Sequence, residues 1–312
     1  MEEAAGEVGR GRWSTAFALT IAVLIFSVFD ALALVLLPLA LLIFALPMDR
    51  PFRWFTVGLL LVAISALFAG GTLATSSRGW ALMAGSVYLA ATLARPAWSV
   101  TARALAAVFT AMSLGIIGLS IAGQLGALDE VVRDHFRTAS EAALTDMQVT
   151  MPDASWVGDV AQATERIAKM QGDVFPALLA LQTLAALALA SWWIRRMRRS
   201  DAPSFQVGRL RDFRFNDNLI WLLIVGLLLV VIPAGPSGTR IATNALVFMG
   251  ALYALRGLAV FVFLAKGAQA IPTMVFGLLA LIFLSPVAVT GALLMGVGDT
   301  WLDVRNRAPV AT

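Results

Sequence analysis

Long apolar runs, separated by short polar or charged breaks, fill this chain and limit what it can fold into. About nine can be traced, at 14–29, 31–47, 54–71, 80–94, 104–123, 174–193, 219–232, 241–265 and 274–295. An uncharged apolar stretch of about 18 residues is stable only in lipid or in an unusually large core. In lipid the backbone must satisfy its own polar groups, which favours helices. The sequence therefore predicts an all-α protein, a polytopic transmembrane helix bundle of about eight or nine spans. Hydrophobic residues make up 60% and charged residues 13% of the chain, roughly half the charge of a soluble domain.

Several chemistries are excluded at this level. The chain has no cysteine, so disulfides, thiol catalysis and Cys-ligated metals are out. One histidine, His135, does not make a metal centre or a proton relay; it reads as a surface residue. No phosphate loop, nucleophile elbow or zinc-ligand motif is present. The chain is thus expected to hydrolyse no ATP itself and to need no cofactor and no metal. Its net charge of +4 comes from arginines at the ends of apolar runs, not from a patch interleaved with aromatics, so nucleic acid is not an expected partner. The expected partner is the lipid bilayer.

Two longer polar breaks differ in sign. Residues 127–173 carry nine acids and four bases, a net of −5; residues 195–214 carry seven arginines and two aspartates, a net of +5. Basic loops resist translocation, which predicts residues 195–214 in the cytoplasm and the acidic segment outside. Counting spans back places the N-terminus inside, in a bacterial cytoplasmic membrane. Counting forward leaves the tail on an undecided side. The acidic segment has apolar residues every three or four positions, interrupted at Pro152, and predicts an extracytoplasmic amphipathic helical hairpin. The expected organisation is a cytoplasmic N-terminus (1–13), a bundle of about five spans (14–124), the acidic insert (125–173), a second bundle of three to four spans (174–296, with its Arg-rich loop at 195–217) and a tail (297–312). The first apolar region, 14–47, would be about 50 Å long as one helix, too long for a core of ~30 Å. It must turn near Asp30 or include a re-entrant piece.

Arg256 is the most costly residue, since it lies in an apolar run near mid-bilayer by its spacing from Lys266. It should face the bundle interior and find a carboxylate, a helix end or an anion. Arg256, Asn244 and Tyr253 on the same run are the candidate ligand-binding residues. Asp30 either marks a turn or serves as the charge partner of Arg256. Gly296-Val-Gly-Asp299 matches a string of intramembrane aspartyl proteases, but a second catalytic aspartate in the expected Tyr-Asp context is missing. Asp299, Trp301, Asp303 and Arg305 therefore read as an interfacial structural motif.

The strings LRDFRF at 210–215, LYALRGLA at 252–259 and GDTWLDVR at 298–305, with Asn244 opening its span, resemble the YybS-like bacterial membrane proteins, domain-of-unknown-function family 2232. That family is in turn distantly similar to the substrate-binding S components of energy-coupling-factor transporters. The resemblance implies a solute-binding or transport-related protein with no ATPase of its own, working with a separate membrane coupling partner. The alternative is a structural or assembly protein, docking through the hairpin and the Arg-rich loop.

Overall fold

The computed structural model describes residues 15–45, 72–150, 157–197, 205, 207–208, 210–232, 235–264, 285–303 and 305. Nine helices and no strands are found among them: α1 (Thr15–Ile25), α2 (Ala31–Ala45), α3 (Thr72–Ala94), α4 (Val100–Ile121), α5 (Leu125–Thr150), α6 (Val157–Met197), α7 (Ile220–Val231), α8 (Gly235–Leu264) and α9 (Ser285–Leu302). The protein is an all-α bundle. Residues Val100–Ile121, Val160–Met197 and Gly235–Leu264 are each long and apolar enough to cross a membrane. By contact the chain divides into two units, Thr20–Gln206 and Val207–Thr312 with Met1–Leu19.

The first unit is built around α6. This 41-residue helix carries its basic residues Arg195 and Arg196 in the last turn. The sequence boundary expected at 173/174 falls inside it, so the second arm of the acidic segment and the following span are one helix. Pro176 is the one proline within it, and no glycine–proline pair accompanies it to stop the helix. The membrane half of α6 is the core of the unit, with Gln182, Ala186, Leu187, Ala190, Ser191 and Ile194 all buried.

Polar pairs fix the register around α6. The Trp80 indole donates to Thr183 Oγ1 at 2.8 Å, and the Tyr88 and Ser191 hydroxyls are 2.6 Å apart. Both partners advance together, so α3 and α6 run parallel. Likewise Asp30 meets Ser77, and Pro38 lies under Gly85, so α2 runs parallel to α3. α4 returns antiparallel after a short turn; Ser99 caps its N-terminus by accepting from the Ala102 amide at 3.1 Å. Its Leu114, Ile116, Ile117 and Ile121 stay exposed, as a lipid-facing surface requires. α5 folds back along α6, tied by Arg133 to Asp173 at 3.1 Å, with Val132 and Phe136 buried beneath it. This is the amphipathic hairpin read from the sequence.

In the second unit α8 is central, flanked by α7 and α9. Gly257 and Gly296 let two backbones touch: a Cβ on Gly257 would sit on the Ala292 carbonyl, and one on Gly296 on the Tyr253 carbonyl. The pairs Gly250–Leu293 and Arg256–Asp299 advance together, so α8 and α9 are parallel and their C-termini share a side. Arg214 pairs with Asp303 at 3.0 Å. The start of the tail therefore lies beside residues 210–217.

Gly257→Ala is expected to force α8 and α9 apart, because backbone cannot move aside as a side-chain tip can. Overpacking of this kind costs about 1–3 kcal/mol or more. Gly250→Ala, whose Cβ would meet only the Leu293 Cδ1 at 3.5 Å, is the matched control. Thermal unfolding in detergent should show a clear loss for the first substitution and little change for the second.

Candidate functional site

Two places hold polar groups where an apolar bundle would otherwise be cheaper. The first is the Arg256 cluster. Arg256 is buried on α8; its Nε donates to Asp299 Oδ2 at 2.9 Å and its Nη1 to Asp217 Oδ1 at 2.5 Å. The guanidinium also lies 5.5 Å from the centre of the Phe215 ring. Arg305 donates to the same Asp299 oxygen at 2.7 Å, and to the Arg211 and Phe213 carbonyls at 3.1 and 3.0 Å. One carboxylate thus gathers two arginines, which in turn pin the 210–217 segment to α8 and the end of α9. Asp217, at the head of α7, is 60% exposed on its side chain. The cluster accordingly reaches the surface of its unit through Asp217.

The sequence candidates do not converge on a ligand here. Asn244 lies twelve positions before Arg256, about 18 Å along α8, and its amide donates to the Arg240 carbonyl at 2.9 Å. The Tyr253 ring is buried edge-on against Phe215, 5.1 Å between centroids. Asp303 holds Arg214, and Trp301 is 63% exposed at the end of α9, a position that suits an interfacial tryptophan. Arg256 takes its carboxylates from Asp217 and Asp299, while Asp30 is engaged within its own unit.

That engagement forms the second place. Between α1 and α2 the helix is interrupted at residues 26–30. The sequence there, Phe-Ser-Val-Phe-Asp, has no glycine or proline to force a break. The interruption is instead held from outside. Gln182 Oε1 accepts the Val28 and Phe29 amides at 3.0 and 3.1 Å, and Gln182 Nε2 donates to the Phe29 carbonyl at 2.9 Å. The Asp30 amide donates to Ser77 Oγ at 3.1 Å, and Asp30 Oδ1 accepts the Leu32 amide at 2.9 Å, opening α2. Gln182 lies about thirteen residues, or ~20 Å, before Arg195, and Ser77 about five residues, or ~8 Å, into α3. The break is thus inside the thickness of the bundle, where unsatisfied backbone is most costly.

A pocket of about 250 Å³ opens beside it, lined by Ser27, Val28, Phe29, Asp30, Leu73, Ala74 and His135. His135, exposed on α5 as the sequence reading expected, is among the lining residues. Gln182 and Ser77 escaped sequence reasoning because each is an ordinary polar residue on a helix; only the pairings across 153 and 47 positions give them a role. The signal that was available is a fully buried glutamine in the middle of an apolar run.

No curated protein and no solved structure matches this chain. A family model described as predicted membrane protein (DUF2232) matches residues 14–300. The chain belongs to that family of predicted membrane proteins.

Proposed function

We propose that this protein is a membrane-embedded, transport-related solute-binding protein without its own ATPase, and that its site is the pocket at the broken first membrane segment. The observation that carries this reading is the cost of the break. Three hydrogen bonds from one buried glutamine and one from Ser77 maintain an interruption that the local sequence does not require. Local and global preferences conflict in this way chiefly at functional sites. Interrupted helices in membranes are tolerated where they line a cavity, and their free ends bind solutes. The pocket has room for a small polar solute. Asp30 supplies an acceptor for a donor or cationic group, and His135 a second polar contact from above.

The Arg-rich segment 195–214 supports a cytoplasmic position for that end of α6, which places the pocket toward the outer face. Single cysteines at Ser140 and Ser200, in a chain with none of its own, test this orientation. An impermeant thiol reagent on intact cells should modify position 140 and spare position 200; the reverse pattern would sink the assignment.

Native mass spectrometry of the detergent-purified chain tests the function. A small bound mass should accompany the wild type and be lost in Asp30→Asn and His135→Ala, both of which should fold. Asp30→Asn keeps a side-chain oxygen to open α2. An unliganded wild type that retains a protein partner would instead support the assembly reading. The closed Arg256 cluster, whose charges are met by the chain's own carboxylates, favours that reading for the second unit. It also supports a structural over a proteolytic role for Asp299.

A further inference from the structure

Arg103 lies about one turn into α4 and is fully buried, 0% exposed. None of its three guanidinium nitrogens has a hydrogen-bond partner among the described residues. Its charged plane faces the Phe205 ring, 5.4 Å from the centroid. The contrast with Arg256 and Arg305 is direct: those two are met by carboxylates and carbonyls. An arginine cannot shed its charge to escape burial, and a buried charge without a partner is strongly unfavourable. Something outside the described residues must balance it.

The surroundings select the sign and chemistry of that partner. Arg103 is a single turn from the N-terminus of α4, the positive end of the helix dipole, where Ser99 serves as cap. Arg195 and Arg196 close the last turn of α6 at the same end of the unit, since α3 and α6 finish together and α4 starts there. Positive charge from two helices therefore converges, with no carboxylate paired to Arg103 among the described residues. A planar guanidinium binds a phosphate through two parallel hydrogen bonds, and an aromatic ring over the other face holds the plane in position.

We propose that Arg103 anchors a phosphate-binding site at this end of the first unit, with the Phe205 ring as its cover. The ligand is a phosphate group, either the headgroup of an anionic phospholipid or a soluble phosphate. The site is separate from the helix-break pocket, and it does not depend on the solute reading.

The test is thermal unfolding of the delipidated full-length chain in neutral detergent, titrated separately with inorganic phosphate and with phosphatidylglycerol, using phosphatidylcholine as the zwitterionic control. A saturable rise in Tm is expected with an anion and not with phosphatidylcholine. It should be lost in Arg103→Gln and reduced in Arg103→Lys, which keeps the charge without the fork. A response to phosphatidylglycerol alone identifies a headgroup; a response to both shows that free phosphate suffices. Should Arg103→Gln not fold, the wild-type titrations and Arg103→Lys decide. No anion response in the wild type, or an undiminished one in Arg103→Gln, overturns the proposal. So does an anion-free Tm that drops equally in Asp201→Asn and Arg103→Gln, because Asp201, in the sequence between α6 and Phe205, would then be the counter-charge.

Discussion

Asp299→Ala is expected to abolish recovery of folded protein. The substitution strips one shared oxygen from two buried arginines, Arg256 and Arg305. Removing one partner of a buried ion pair costs about 3–5 kcal/mol, and here two guanidinium groups lose the same carboxylate at once. A loss of that size is comparable with the ~5–15 kcal/mol of net stability typical of folded proteins. It should appear as loss of the monodisperse peak on size exclusion in detergent. Asp217→Ala should be far milder, because its carboxylate is largely exposed and exposed partners contribute about 1 kcal/mol or less. Equal stability of Asp299→Ala and wild type would show that the cluster holds nothing together.

Gln182→Leu is the second large effect. It leaves the Val28 and Phe29 amides and the Phe29 carbonyl without their partners in a buried, apolar setting. Each unsatisfied group costs about 1–3 kcal/mol, so the three together cost about 3–9 kcal/mol before any relaxation of the break. Gln182→Glu keeps the acceptor for the two amides but sets a carboxylate against the Phe29 carbonyl, and should fall between. Thermal unfolding in detergent gives the order wild type, Glu, Leu. A Gln182→Leu variant as stable as wild type would mean that the helix simply closes through residues 26–30 and that the break has no hold on the fold.

The membrane class and the hairpin were legible because they rest on composition and periodicity, and an interruption within 14–47 because that run is too long for one span. Apolar runs of the length of 104–123 or 241–265 admit few alternatives in water or lipid. The burial of Arg256 could be foreseen from cost alone, as no arginine at that position is stable facing lipid. Its partners could not, because Asp217 and Asp299 lie 39 and 43 positions away and nothing local distinguishes them from other aspartates. The same holds for the break. Residues 26–30 carry no turn chemistry, so their conformation is written in Gln182 and Ser77 on other helices. Span counting left the side of the tail open because hydropathy does not report the direction of a helix. The parallel course of α8 and α9, and the Arg214–Asp303 pair, do.

Solute binding at this site requires the break to be an opening to water and not a kink sealed by lipid. Cysteine accessibility measures this directly in a chain that has no other thiol. Ser27→Cys, on the pocket wall, should react with a hydrophilic methanethiosulfonate in intact membranes. Leu24→Cys, 59% exposed on the apolar surface three residues earlier, and Leu39→Cys, 0% exposed in the core, should stay unmodified. A Ser27 cysteine as inert as the other two would contradict the account.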